Sequence, residues 1–219
     1  PSSSLSVDQP FDSPTIIGAY DVSGNPIGGI TITADRDPTT GTGIIRGTLS
    51  VVTDSSGQST FSPLAYDKTD IFRVRFTANG KTVVSDPVGP LLPGTPTCIR
   101  VENSANGSGV IIPTQTLNVG NSITAFGILR DQFGNFAGNP ADTTWFLESV
   151  TGGIKDSDLS QSIGASTVLT GHNPGTATIR ATNGQLSSIA SGVVTYVDAP
   201  PSIPGGGGFI GGGGSGGGG

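Results

Sequence analysis

One histidine, one cysteine and sixteen carboxylates are the residues of this chain that could carry chemistry. His172 stands in TGHNPGTAT, where a glycine before it and Asn173-Pro174 after it mark a turn ahead of a strand. A hydrolytic triad needs a histidine held between a nucleophile and a carboxylate. No such motif surrounds His172, so an exposed turn histidine is expected. Zinc asks for three or four ligands, more than one His and one Cys supply. Calcium takes six to eight oxygens, and DRD (35–37), DKTD (67–70) and DSD (156–158) bring carboxylates close together. None has the spacing of an EF-hand loop, and paired aspartates in the loops between strands are ordinarily solvated turn formers. A glycosidase would set two carboxylates across a cleft, and no insertion long enough to form one is present. The sequence therefore assigns no catalytic, cofactor-binding or metal-binding residue, and a non-enzymatic protein is expected.

Bulk properties narrow the partners. The net charge is -6 and the ten basic residues are scattered, which argues against nucleic acid and against an anionic membrane surface. No run approaches the roughly 20 apolar residues of a spanning helix. Cys98 has no partner within the chain, so it is either a small hydrophobe in a strand or an intermolecular bridge. Trp145 and Phe146 are neighbours on a strand and point to opposite faces. One of them belongs to the core, and the other is free for a sugar or a partner. The first residue is Pro1 and methionine is absent, as expected of a processed chain or an internal fragment.

The elements that would position these residues are strands. The chain has 36 Gly and 16 Pro, few helix formers, and an abundance of Thr, Val and Ile. Two turns share the frame D-x-x-G-N: YDVSGNPIGG at 20–29 and RDQFGNFAGN at 130–139. Each lies between strand-like runs, TIIGAY and GGITITAD in the first case, SITAFGILR and DTTWFLES in the second, so each reads as a hairpin. Farther on, Phe72, Val74 and Phe76 alternate with Arg73, Arg75 and Thr77. Ala177, Ile179 and Ala181 alternate with Thr178, Arg180 and Thr182. Asn79-Gly80 and Asn183-Gly184 then supply turns to a following strand. One domain type is used twice, with a repeat close to the size of a small β-sandwich. The expected boundaries are 1–95 and 96–198, joined through the proline-rich DPVGPLLPGTPT (86–97) and followed by a Pro/Gly-rich tail, 199–219.

The order IRVENSANG, DQFGN, TTW, GTATIRATNG and VVTYV resembles the bacterial immunoglobulin-like domains found in tandem in surface proteins, including invasin-type adhesins. The likeness is fuller over 97–198 than over the first unit. It implies an all-β chain of two immunoglobulin-like sandwiches with an extracellular structural or adhesive role, and it carries no catalytic residues across.

The first unit departs from the pattern at its start. Some twenty residues (99–120) precede the SITAFGILR strand in the second unit, against only PSSSLSVDQPFDS (1–13) in the first. A first sandwich lacking part of its first strand either exposes a sheet edge open to another molecule or is a smaller domain with a short solvated edge. The tail, GGGGFIGGGGSGGGG, reads as a flexible linker by composition. Ordered, it would need regular hydrogen bonds to a neighbour. Phe209 and Ile210, flanked by Gly205 and Gly211, are then the natural plug for a partner's pocket, and with Cys98 they are the candidate assembly residues. The expected function is a subunit of a surface filament, pilus-like fibre or sheath, self-associating through terminal segments. The rival is an adhesin or carbohydrate-binding module, with a glycan or cell-surface ligand and the tail as tether.

Overall fold

The computed structural model describes residues 5–200, which form short strands joined by turns. The first set comprises β1 (Thr15–Gly18), β2 (Thr31–Arg36), β3 (Ile45–Gly47), β4 (Ser50–Val52), β5 (Gln58–Phe61), β6 (Leu64–Tyr66), β7 (Val74–Ala78) and β8 (Lys81–Val84). The second set comprises β9 (Pro96–Glu102), β10 (Gln115–Asn118), β11 (Ser122–Asp131), β12 (Phe136–Gly138), β13 (Thr144–Gly152), β14 (Ser166–Thr170), β15 (Gly175–Asn183), β16 (Leu186–Ser187) and β17 (Val194–Val197). A single 3₁₀ turn, Asp156–Asp158, interrupts the strands of the described residues. No helix among them is long and apolar enough to cross a membrane.

Alternation builds two cores. In β7 and just before it, Phe72, Val74 and Phe76 turn inward against Ile32, Ala34, Phe61 and Tyr66, while Arg73 and Arg75 face outward. Tyr66 stacks on Phe72 with ring centroids 3.7 Å apart. Its hydroxyl donates to Asp70 and accepts from the Gly43 amide, and burial, with Asp70 beside it, pushes its pKa up to about 12. In the second unit Ala177, Ile179 and Ala181 of β15 face Ile99, Val101, Trp145, Leu147 and Tyr196. Each fully buried aliphatic side chain of this kind is worth about 1.5–3 kcal/mol.

The pairings repeat. β1 pairs β5 as β11 pairs β14; β2 pairs β7 as β13 pairs β15; β7 pairs β8 as β15 pairs β16, all antiparallel. The first sandwich sets the sheet β4-β2-β7-β8 against the pairs β1-β5 and β3-β6; the second sets β10-β17-β15-β13 against β9, β11, β12 and β14. Asn79 and Gly80 adopt φ of 46° and 74° at the β7–β8 turn, the left-handed pair that a two-residue hairpin requires.

The hairpin reading of the two D-x-x-G-N turns needs correction. The long strands on either side do not pair with one another, since β1 and β2 belong to different sheets, as do β11 and β13. Pairing across the turn ends after Tyr20↔Pro26 in the first copy and after the short β11–β12 ladder in the second. Pro26-Ile27-Gly28-Gly29 and Asn139-Pro140 then carry the chain across to the facing sheet, where proline cannot extend a ladder. The turn is the corner of the sandwich.

Candidate functional site: two copies of one turn and an open sheet edge

Inside the turn the two copies are built alike. Asp21 Oδ1 accepts from the amides of Ser23 and Asn25, both at 2.8 Å, and Asn25 Nδ2 donates to Asp21 Oδ2 at 2.9 Å. Asp131 Oδ1 accepts from the amides of Phe133 and Asn135, and Asn135 Nδ2 donates to Asp131 Oδ2, all at 2.9 Å. The aspartate thus caps its own turn, and the glycine between supplies positive φ, 84° at Gly24 and 79° at Gly134.

Their surroundings differ completely. The second copy is seated in the first sandwich. Asn135 Nδ2 also donates to the carbonyl of Asp67 at 2.9 Å. Lys68 Nζ donates to the carbonyl of Phe133 at 2.6 Å. Phe133 packs against the first core, and the Arg46 guanidinium lies 5.0 Å from its ring centroid. Gly94 in the connecting segment donates its amide to Asp131 Oδ2 at 3.0 Å. Burial raises the carboxyl pKa of Asp131, but bonds from Asn135, Gly94 and Phe133 outweigh it and hold the group below its ordinary value. Arg46 is itself fixed by the buried carboxylate of Asp67 at 3.0 Å. The first copy has none of this among the described residues: residues 20 to 29 line the far end of the first sandwich and stay exposed, with Val22 fully in solvent. Bonds from Asn25 hold the Asp21 carboxyl low, with no partner from outside the turn among the described residues.

A second contrast lies beside each turn. Strand β9 runs antiparallel to the upper half of β11, from Phe126↔Glu102 to Asp131↔Pro96. Its Ile99 and Val101 are fully buried, and it packs against β15 and β16. Glu102 clamps it there, because Arg130 donates Nε to Oε1 and Nη2 to Oε2, each at 2.6 Å. The same arginine donates to the carbonyls of Gly134 and Gly107. This carboxylate bond is the main cause that raises the arginine's pKa. In the first sandwich, Tyr20 precedes the turn where Arg130 does in the second, and it is 56% exposed. No strand among the described residues lies where β9 would, and β1 pairs with β5 alone. A groove of about 330 Å³ opens there, lined by Ile17, Ile30, Ile32, Phe76, Ala78 and Val83.

The other sequence candidates fall as follows. His172 is largely exposed, as expected, but its Nδ1 lies 2.9 Å from Oδ1 of the buried Asp158, a pair that sequence reasoning missed. The DSD segment and the lone histidine were the available signals, fourteen residues apart. The clustered aspartates are engaged in turns and with side chains: Asp37 with Thr39, Asp70 with Thr42 and Tyr66, Asp67 with Ile44 and Arg46, and Asp156 with the Leu147 amide. Trp145 is the core member of its pair, with Nε1 donating to the Gly164 carbonyl, and Phe146 is half-buried on the other face. Cys98 sits on β9, half-buried, with Sγ 3.9 Å from the Arg130 carbonyl. Gly205, Phe209, Ile210 and Gly211 lie outside the described residues.

The chain matches no family model and no curated protein. Among solved structures it is similar over 89% of its length to the D0-D1 domain of intimin, with 15% identity, 94% of that chain covered and a TM-score of 0.28. Over 91% it is similar to domains 5-6 of the S-layer protein SbsC, with 15% identity, 95% of that chain covered and a TM-score of 0.32. Over 89% it is similar to the Yersinia pseudotuberculosis adhesin InvE, with 16% identity, 56% of that chain covered and a TM-score of 0.35. By its own strand pairing, the chain is a tandem pair of immunoglobulin-like β-sandwiches.

Proposed function

We propose that the chain is an extracellular structural subunit of a surface filament, pilus-like fibre or sheath, non-enzymatic and joined to its neighbours through terminal segments that include the Gly-rich tail. The observation that carries this reading is the seated turn. A flexible tether between two sandwiches would need only the proline-rich segment, whereas here the Asp67 carbonyl, a lysine, an arginine and a connecting amide all fix residues 131–135. Each such hydrogen bond contributes about 0.5–1.5 kcal/mol, and together they turn two domains into one stiff spacer. A rod with unlike ends is the natural repeat unit of a fibre.

Negative-stain electron microscopy of the full chain, beside a version ending at Pro204, tests the proposal. Filaments or regular arrays from the full chain alone are the expected result. Two-lobed monomers from both would overturn it and redirect attention to a ligand for the loops of the second sandwich.

A further inference from the structure

Resting on that reading, we infer that the open edge of β1 and its groove are an acceptor for the Phe209-Ile210 segment of a second copy. The second sandwich supplies the template. Matching Asp21 to Asp131 carries the path of β9 onto residues 16–21 and over the β7–β8 hairpin, because β9 packs on β15 and β16. That path coincides with the groove formed by Ile17, Ile30, Ile32, Phe76, Ala78 and Val83. Ile16, on the outer face of the same edge, is 58% exposed and Val83 on the rim is 52% exposed. An unpaired edge with an apolar groove beside it is a template for an added strand, main-chain bonds giving affinity and the groove giving selectivity.

The described N-terminal residues cannot fill it. Val7 donates its amide to Leu92, Asp8 to Tyr66 and Phe11 to Leu64, which pins residues 5–11 at the opposite end, beside the junction. The tail leaves from the far pole of the second sandwich: β17 runs parallel to β10 and ends at Val197↔Asn118, next to the turn that starts β11. From Asp198 to Phe209 is eleven residues, roughly 37 Å fully extended. The ten residues of β11 alone span about 34 Å, so two sandwiches end to end are nearly twice as long as that reach. The groove within reach therefore belongs to the next copy, whose first sandwich abuts the second sandwich of this one.

The segment's chemistry fits. Phe209 and Ile210 are adjacent, so in an extended chain one side chain enters the groove and the other lies over Ile16. Four glycines on each side let the backbone approach the edge without a Cβ in the way. Because donor and acceptor lie at opposite poles, the contact is heterologous and propagates as an open fibre.

Two variants test it by light scattering after size exclusion. Val83→Glu charges the groove rim, and Phe209→Asp with Ile210→Asp removes the plug. Each alone is expected to be a monomer. Mixed in equal amounts they are expected to form a species of twice the monomer mass and nothing larger, since only one plug and one groove survive per pair. Ile16→Asp, on the exposed face, is the second groove-side variant if Val83→Glu fails to fold. Filaments from both variants as from the parent chain would overturn the acceptor assignment while leaving the filament reading intact. A parent chain that stays monomeric would remove both.

Discussion

Two copies of one turn, identical inside and opposite outside, are the most informative pair of regions in the molecule. Both aspartates collect the same three bonds from their own turn. Local chemistry therefore makes the turn, and among the described residues only the second copy has a receptor. A capped turn is a rigid knob, and whether it serves as a domain corner or a domain connector depends on what the neighbouring surface offers. The same holds for the strand beside it: β11 has β9 on one edge and β14 on the other, whereas β1 has a single neighbour among the described residues.

Several substitutions would break or sharpen this contrast. The largest effect is expected from Glu102→Ala, which strands the nearly buried Arg130 and releases β9. The second sandwich should lose about 3–5 kcal/mol, measured by denaturant unfolding. Next comes the seat of the second turn. Phe133→Ala and Asn135→Ala should each cost about 1–3 kcal/mol and uncouple the two unfolding transitions, as calorimetry would record. Acid should act on the same place. The Asp131 pKa is lowered on folding, so its contribution is present above the unfolded value, near 4, and is lost as pH falls through the folded one. Loosening of the junction is thus expected below about pH 4, seen as faster amide exchange at Phe133 and Asn135. The smallest effect belongs to the free copy: Asn25→Ala should change stability by no more than about 0.5 kcal/mol. Equal losses from Asn25→Ala and Asn135→Ala in thermal unfolding would show that the seat contributes nothing beyond the turn itself.

What could be read from the sequence was what is local. Alternation placed Phe72, Val74 and Phe76 inside, Asn79-Gly80 marked its hairpin, and the D-x-x-G-N frame located both corners. The partners of the second turn were not legible, because Lys68, Arg46 and Asp67 are more than sixty residues away in the chain; Asp67 and Lys68 lie in a loop of ordinary turn material and Arg46 on the short strand β3. The Glu102–Arg130 clamp had a visible trace, a glutamate ending the apolar run IRVE and an arginine ending GILR, but a charge at a strand end reads as solvated until the two strands are known to pair. The hairpin reading failed for a related reason. A turn motif specifies reversal of the chain, not which sheet the chain joins afterwards.

Strand direction at the ends of the chain has a mechanical consequence. A pull on the C-terminal end drags β17 along β10, and because the two are parallel, four residue pairs from Gln115↔Val194 to Asn118↔Val197 carry the load in shear and must give together. The corresponding clasp in the first sandwich is the single parallel bridge Ser6↔Leu92. A load applied between residue 5 and the connecting segment meets that bridge and then the separate bonds of Asp8 to Tyr66 and Phe11 to Leu64, which yield one at a time rather than as a ladder. Under tension the two sandwiches are therefore unequal, and the first is the link that lengthens before the second.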